Sequence, residues 1–218
     1  MLRTNNKVFR NYYSRIIKFS IIILLVLMCL PKAYSFDLNN NRLGITFVPL
    51  VSKCYLFDNS FHEDYNFEGQ SGYMLGFKYL RIINDKIRIE TGLHYSELYI
   101  YLGEDVKLDN FYQSRREQRN IISFPIAVER GFKYDFFITA GAQIDFELNT
   151  WTKLKMDDQK GIGLLFSIGK TFHISENVYF SVAPNIKMHS VIPFDRESNH
   201  QRLFDYGIKL DITYGFLR

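Results

Sequence analysis

The alternation of apolar and polar residues near the carboxyl end is the feature that most constrains the fold of this chain. Between Phe204 and Phe216 every second residue is apolar or aromatic, and the residues between them are small, polar or charged. Successive side chains of a β-strand point to opposite faces, whereas a helix repeats its apolar residues every three or four positions. The segment is therefore predicted to be a strand with one apolar and one polar face.

The same period of two recurs along the chain after residue 40 and predicts eight strands in all. No segment with a helical pattern interrupts the series. The first strand alternates least regularly. The predicted strands centre on 43–55, 72–79, 87–96, 122–129, 136–147, 162–168, 178–188 and 204–216.

The connections between these strands alternate in length, which is independent evidence for the architecture. Tight turns are predicted at 84–86, 131–133 and 175–177, where Asn, Asp, Gly and Ser favour turn conformations. Long polar segments lie between them, at 57–69, 103–118, 149–160 and 191–202. Short turns on one side and long loops on the other are typical of outer-membrane barrels. The predicted fold class is all-β, a single eight-stranded antiparallel up-and-down transmembrane β-barrel.

The first 35 residues have the layout of a signal peptide. Five basic residues precede a 12-residue apolar run from Phe19 to Leu30, which is followed by Ala33, Tyr34 and Ser35. The run is shorter than the roughly 20 residues that a transmembrane helix needs. We therefore predict a cleaved signal peptide at 1–35 and an outer-membrane β-barrel domain at 36–218, exported by a Gram-negative cell.

Removing that segment changes the charge of the chain and leaves one cysteine. The full sequence has a net charge of +4, but six of its 27 Lys and Arg residues precede Phe36 without any acidic residue, so 21 basic residues face 23 acidic ones in the mature part. A net charge of −2 gives no basis for nucleic-acid binding. Cys29 lies in the apolar run, preceded by Met28 rather than the small residue usual before a lipidated cysteine, and Cys54 alone cannot form an internal disulfide.

Alternation alone does not show whether the apolar face of the barrel contacts lipid or lines an internal cavity. A soluble lipocalin-like barrel would turn its charged face to water and enclose an apolar ligand, whereas a membrane barrel would turn its apolar face to lipid. The composition favours the membrane, because the apolar face is rich in large aromatic rings near the strand ends and the opposite face is rich in glycine. The predicted glycines of the narrow interior are Gly72, Gly76, Gly92, Gly141, Gly163, Gly169, Gly207 and Gly215.

Four segments resemble the PorT-like outer membrane β-barrel family. They are 71–77 (SGYMLGF), 89–96 (IETGLHYS), 122–127 (ISFPIA) and 138–142 (ITAGA). The resemblance covers most of residues 40–218 and implies an eight-stranded barrel of the outer membrane, together with a link to a secretion assembly through the family's namesake. The carboxyl end departs from the usual terminal aromatic residue, because Leu217 and Arg218 follow Phe216.

The polar face places many charges inside the predicted barrel. In a narrow interior such groups lose their water and must pair with one another. The arrangement could form an ion or proton path, but eight strands leave an interior filled by side chains, which favours a structural polar plug. The predicted lumen network consists of Lys78, Arg88, Glu90, Glu129, Asp145, Glu147, Lys187, Lys209 and Asp211, with His94 and His189 on the same face.

The long loops hold the other candidate residues. His62, Glu63 and Asp64 could belong to a metal or hydrolytic site, and Ser60, Ser114, Asp105 and Asp109 are nominal partners, but no spacing motif selects them. Arg115, Arg116, Glu117 and Arg119 beside Phe111 and Tyr112 could contact anionic lipopolysaccharide or a partner protein, or could simply be solvated. No catalytic, cofactor or metal residues are assigned.

The sequence thus predicts a non-enzymatic, monomeric barrel of the outer membrane that contacts outer membrane lipid. Its role would be structural or partner-binding through external loops, or accessory to an envelope or secretion assembly. Two alternatives stay open: a soluble periplasmic lipocalin-like barrel that binds an apolar ligand, and a lipid-modifying barrel enzyme.

Overall fold

The structure, a computed structural model, describes residues 41–56, 67–69, 71–102, 107–108, 111–112, 115–148, 157–195 and 201–216. Eight long strands are built from 12 to 17 residues each. They are β1 (Asn41–Leu56), β2 (Ser71–Ile82), β3 (Ile87–Leu102), β4 (Arg115–Gly131), β5 (Phe136–Glu147), β6 (Gly161–His173), β7 (Val178–Pro193) and β8 (Gln201–Gly215). The predicted signal peptide 1–35 lies outside the described residues and stays a prediction.

The eight strands close into one antiparallel barrel. Each strand pairs with the next along the chain, and β1 also pairs with β8, from Arg42 opposite Gly215 to Leu56 opposite Gln201. The pairing of β3 with β4, from Ile87 opposite Arg130 to Leu102 opposite Arg115, completes the ring. The predicted up-and-down topology is confirmed. No helix in the described ranges is long and apolar enough to cross a membrane.

The three predicted tight turns join β2 to β3, β4 to β5 and β6 to β7. In the first, the Asn84 side chain accepts hydrogen bonds from the backbone N–H groups of Lys86 and Ile87, at 2.9 and 2.8 Å. In the second, Tyr134 and Asp135 have positive φ angles of 60° within a short 3-10 turn. The barrel therefore has a turn end, which holds these turns, and a loop end at the opposite mouth.

The strands at the loop end extend further than the alternation predicts. Phe67–Gly69 forms a short strand that pairs with the end of β3, although this segment was predicted as loop. β4 begins at Arg115, inside the predicted loop 103–118, and Lys107–Leu108 pairs with Phe111–Tyr112 within it. β7 continues to Pro193 and β8 starts at Gln201. Backbone hydrogen bonding continues where the side chains stop alternating, so a pattern of side chains predicts these strands too short at the loop end.

The outer surface of the barrel is apolar and the interior is polar. Phe77 is 68% exposed and Val128 is 52% exposed on the outside, whereas Lys78 and Glu129, their neighbours along the strands, are each 2% exposed inside. Apolar outer residues occur on all eight strands. A soluble barrel with an apolar ligand needs the reverse distribution. The lipocalin-like alternative is therefore not favoured, and the exterior is that of a barrel that spans a membrane.

One glycine marks a close approach between neighbouring strands. An ideal Cβ built on Gly141 of β5 would lie 2.3 Å from the backbone oxygen of Ile126 and 2.4 Å from the Cα of Ala127 on β4. Real Cβ atoms do not come this close to backbone atoms. Glycine is therefore required where β5 lies against β4, and this explains one of the glycines predicted on the inner face.

Candidate functional site

The candidate site is the lumen, and its turn-end half holds a charge-balanced cluster. Lys78 Nζ lies 2.9 Å from Glu90, 2.7 Å from Asp211 and 3.7 Å from Glu129. Three cations thus meet three carboxylates that are almost fully buried, so each charge has opposite charge beside it. We call this set the charged cluster; it consists of Lys78, Arg88, Glu90, Glu129, Lys209 and Asp211.

The charged cluster joins strands that are not neighbours in the sheet. Lys209 Nζ on β8 lies 2.5 Å from Glu90 Oε1 on β3, and Lys78 Nζ on β2 lies 3.7 Å from Glu129 Oε2 on β4. Between the neighbouring strands β3 and β4, Arg88 Nε lies 2.7 Å from Glu129 Oε1. Thr46 on β1 donates a hydrogen bond of 2.7 Å to Asp211 on β8. The ion pairs of Lys209 and Lys78 cross the lumen, whereas the Arg88 and Thr46 bonds join residues that lie opposite each other on neighbouring strands. A change in the register of one strand would therefore break contacts with several others.

A second set of bonds, which we call the histidine chain, crosses the loop-end half of the lumen. The ring of His189 lies between two carboxylates: Nδ1 is 3.0 Å from Asp145 Oδ2, and Nε2 is 2.8 Å from Asp205 Oδ2. Ser123 donates a hydrogen bond to Asp145, and Ser52 donates one to Asp205, both at 2.6 Å. The chain therefore links β4, β5, β7, β8 and β1, and its serines bond to carboxylates rather than to the imidazole that would have to activate a nucleophile.

A β-bulge in β7 turns Ser190 into the lumen beside His189. The register between β7 and β6 shifts between Met188 and Ile192, and Ser190 has a positive φ of 49°. As a result two consecutive residues, His189 and Ser190, are both completely buried. Ser190 Oγ donates a hydrogen bond of 3.1 Å to the backbone oxygen of Lys160. Bulges re-aim side chains in this way, and the sequence alone gives no sign of this one.

Lys187 differs from the other lumen cations because it has no carboxylate within 4.0 Å among the described residues. Its Nζ is 2.9 Å from Met74 Sδ and 3.3 Å from His94 Nδ1. His94 is 2% exposed, and its Nε2 has no hydrogen-bond partner in the described part of the chain. The prediction that every lumen charge is paired therefore does not hold for Lys187, whose hydrogen-bond partners are a thioether and an imidazole.

An apolar layer, which the sequence analysis did not predict, fills part of the loop-end half of the lumen. Its members come from five strands and are at most 5% exposed, and Cys54 packs against them. They escaped the alternation because inner and outer positions are both apolar at these strand ends, so the two faces look alike in the sequence. The layer consists of Val48, Leu50, Met74, Leu98, Ile100, Ile121 and Leu203.

The segment Asp157–Lys160 folds into the loop end of the lumen beside this layer. Gln159 is completely buried: its backbone N–H donates to Glu147 Oε2 at 2.7 Å, and its Oε1 accepts from the Leu203 N–H at 3.1 Å. Arg119 Nη1 lies 2.8 Å from Glu147 Oε1 and is also completely buried. Arg119 was predicted to lie in an exposed loop, either contacting an anion or a partner or simply solvated; the structure corrects its position, because it is a buried inner residue of β4.

The predicted network residues all line the lumen, but in separate groups. Six of them form the charged cluster, Asp145 belongs to the histidine chain, Glu147 pairs with Arg119, and Lys187 contacts His94. Asp205 and Gln159 were missed, although Asp205 stands on the polar face of the predicted last strand. Within the described residues no group of three His, Cys, Asp or Glu could hold a metal ion. His62, Glu63, Asp64, Ser60, Ser114, Asp105 and Asp109 lie outside the described residues.

Known proteins with similar structures are small barrels of bacterial outer membranes. OprG of Pseudomonas aeruginosa is 13% identical with a TM-score of 0.47, and the match covers 81% of this chain and 95% of OprG. Neisserial surface protein A is 12% identical with a TM-score of 0.48, over 81% of this chain and 97% of that one. The outer membrane protein AlkL is 10% identical with a TM-score of 0.49, over 85% and 95%.

No family model matches the chain, and no curated protein matches it. The resemblance to the PorT-like family therefore stays a prediction. Likeness at this level of identity does not extend to function. The fold itself is established by the closed ring of strands and the apolar exterior: the chain is an eight-stranded β-barrel of the outer-membrane type.

Proposed function

We propose that the protein is a non-enzymatic, non-conducting barrel of the outer membrane that serves as a scaffold for its long loops. In this role the loops present a binding surface to an envelope or secretion protein, and the barrel holds them at the cell surface. The observation that carries the proposal is the filled lumen: the charged cluster, the histidine chain and the apolar layer all occupy it. A barrel of eight strands has little interior volume beyond its own side chains.

The lumen chemistry supports a structural role over an ion path. An ion path needs sites that an ion can enter and leave, whereas the charges of the charged cluster are bonded to one another at 2.5–3.7 Å. At the loop end, Gln159 accepts a hydrogen bond from the Leu203 N–H inside the lumen. At the turn end, the Arg42 guanidinium stacks on the Tyr179 ring, with its carbon 3.5 Å from the ring centre. We therefore expect neither mouth to admit water to a continuous pore.

Planar-bilayer recording tests the non-conducting part of this proposal. The purified full-length barrel is expected to insert without adding conductance above the lipid background at either polarity. A matched control is an established porin at the same protein-to-lipid ratio, which confirms that insertion is detected. Stable single-channel steps from the barrel alone would overturn the scaffold proposal in favour of an ion path.

Loop replacement tests the partner-binding part. The segment 57–66 is replaced by a Gly-Ser linker of equal length, and Asn84–Lys86 in the turn between β2 and β3 is replaced in the same way as the control. Cells are cross-linked, and the barrel is purified with its attached proteins. We expect an envelope protein that is captured by the parent chain and by the turn variant to be lost from the loop variant. Equal capture by all three would contradict binding through this loop.

The lipid-modifying alternative has its own test. Ser60, His62 and the acidic residues nominated for it come from loop segments, so His62→Ala is the informative change. The scaffold proposal expects an identical envelope lipid profile in cells that make the parent chain, His62→Ala or no barrel. A lipid species that depends on the parent chain and disappears with His62→Ala would establish an enzyme.

A further inference from the structure

Two cations stand on the outer surface of the barrel at its turn end. Arg130 is exposed near the end of β4, and Lys170 is partly exposed near the end of β6. Their inward neighbours, Glu129 and Gly169, are buried in the lumen, so both cationic side chains lie on the outer, lipid-facing side of the wall. Both positions fall within four residues of the tight turns.

Aromatic rings flank both cations. The guanidinium carbon of Arg130 lies 5.6 Å from the ring centre of Phe132, and Lys170 Nζ lies 5.3 Å from that of Phe136 and 5.5 Å from that of Phe172. These rings are 43–48% exposed on the outer surface. A cation over an aromatic face is held in place by the ring quadrupole, so each charge is fixed above an apolar surface rather than free to turn toward bulk water.

Neither cation has a carboxylate within 4.0 Å in the described part of the chain. The carboxylate of Asp135, in the turn between β4 and β5, instead lies 3.4 Å from His173 Nε2. The neighbouring cation Arg88 shows the contrast, because it has the partner Glu129 in the lumen. Arg130 and Lys170 can therefore pair with an anion from outside the described part of the barrel.

The pairing of β5 with its neighbours brings the two cations to one patch of surface. Arg130 lies opposite Ile138 of β5, and Lys170 lies opposite Phe136, two residues earlier on the same strand. Two strand spacings of about 4.8 Å separate β4 from β6. Ile138 and Phe136 both face outward between the cations. The result is a strip of apolar wall with a cation on each side, close to the turn-end rim.

We propose that this strip binds an anionic phospholipid of the leaflet that surrounds the turn end. Arg130 and Lys170 attract the phosphate from either side of the strip, and an acyl chain lies along Phe136 and Ile138. Two fixed cations with no opposing carboxylate favour an anionic headgroup over a zwitterionic one, because the zwitterion carries its own ammonium group. This inference rests on the membrane location proposed above.

The test is lipid retention by the intact protein. The full-length barrel is reconstituted in vesicles that contain equal amounts of phosphatidylglycerol and phosphatidylcholine, then extracted, and the lipids bound to it are counted by native mass spectrometry. We expect the parent chain to retain phosphatidylglycerol selectively. The double variant Arg130→Gln/Lys170→Gln should reduce that selectivity by about 30-fold, as expected for the loss of two cations at roughly 1 kcal/mol each.

Lys53→Gln is the matched control. Lys53 is also an exposed cation beside an outer ring, 6.0 Å from the ring centre of Tyr206, but it lies at the loop end of β1. We expect it to leave phosphatidylglycerol retention unchanged, and all three proteins should shift in gel mobility on boiling. Equal retention of both lipids by the parent chain, or undiminished selectivity in the double variant, would overturn the inference.

Flotation with the vesicles, measured first, separates this result from the membrane location. If the chain floats with the vesicles but retains both lipids equally, only the proposed phospholipid site is contradicted. A chain that stays in the soluble fraction contradicts the location as well.

Discussion

Lys209 and Glu90 form an ion pair across the lumen, with Nζ 2.5 Å from Oε1, although β1 and β2 separate their strands in the sheet. Both side chains are at most 3% exposed, and Glu90 is shared with Lys78 at 2.9 Å. Breaking a buried pair by removing one partner leaves a charge without compensation. The ion pair therefore stabilises the closed barrel as a whole rather than one hairpin of it.

We expect Lys209→Met to reduce the free energy of unfolding by about 3–5 kcal/mol. The double variant Glu90→Met/Lys209→Met should lose less than the sum of its two single changes, because it removes both charges together. The measurement is the urea midpoint of the barrel in lipid vesicles. Lys86→Met, in the exposed turn between β2 and β3, is the control and should match the parent chain. Equal midpoints for Lys209→Met and Lys86→Met would contradict the structural role of the pair.

Gln159 is expected to protect the loop end of β8 from exchange with solvent. Gln159→Ala removes the side-chain oxygen that accepts from the Leu203 N–H and the amide that donates to the Gln201 backbone oxygen. Leaving such buried groups unsatisfied costs about 1–3 kcal/mol. Hydrogen exchange at the Leu203 amide should therefore become faster. Lys160→Ala, which removes only the partly exposed pair with Asp158, should leave it slow. Unchanged protection in Gln159→Ala would mean that the segment Asp157–Lys160 does not seal the lumen.

The outer surface should tolerate a charge at the rim but not in the middle of a strand. Ile126→Lys places an ammonium on the outside of β4 and is expected to cost about 2–4 kcal/mol if the position lies near the bilayer centre. Ile174→Lys makes the same change in the turn between β6 and β7, where the cost should be at most about 1 kcal/mol. Both isoleucines are highly exposed, at 61% and 66%, so burial in protein does not separate them. Similar unfolding midpoints in vesicles would argue that lipid does not surround Ile126.

Gly141 should tolerate no side chain. Gly141→Ala brings a Cβ to within about 2.3–2.4 Å of the β4 backbone, which forces β4 and β5 apart. We expect a smaller fraction of the heat-sensitive, folded form on a gel. Ala140→Val, on the outer face of the same strand, adds two carbons where there is open space and should fold like the parent chain. Normal folding of Gly141→Ala would show that the two strands can separate at no cost.

The outer face of the barrel was predictable from the sequence because every strand must present apolar side chains to lipid at every second position. In β8 the apolar positions from Phe204 to Phe216 follow the period of two, and those that are exposed, such as Ile212 at 50%, lie on the outside. The polar positions between them reach the lumen by the same rule. Residues such as Lys209 and Asp211 were thus placed without knowledge of their partners.

The partners inside the lumen were not predictable, because they depend on the shear of the barrel. Sequence spacing gives no reason for Lys209 to reach Glu90, 119 residues away, or for His189 to lie between Asp145 and Asp205. The apolar layer was missed for a different reason. Leu98 and Ile100 stand beside the aromatic outer residue Tyr99, so alternation is lost where both faces are apolar.

Fractionation of cells that express the full-length chain tests the central claim, a closed barrel in the outer membrane, most directly. Outer-membrane protein is compared on a gel before and after boiling. Recovery in the outer-membrane fraction, with a band whose mobility changes on boiling, is the predicted result. Recovery in the soluble periplasmic fraction, or in the membrane without any heat-dependent shift, would contradict it.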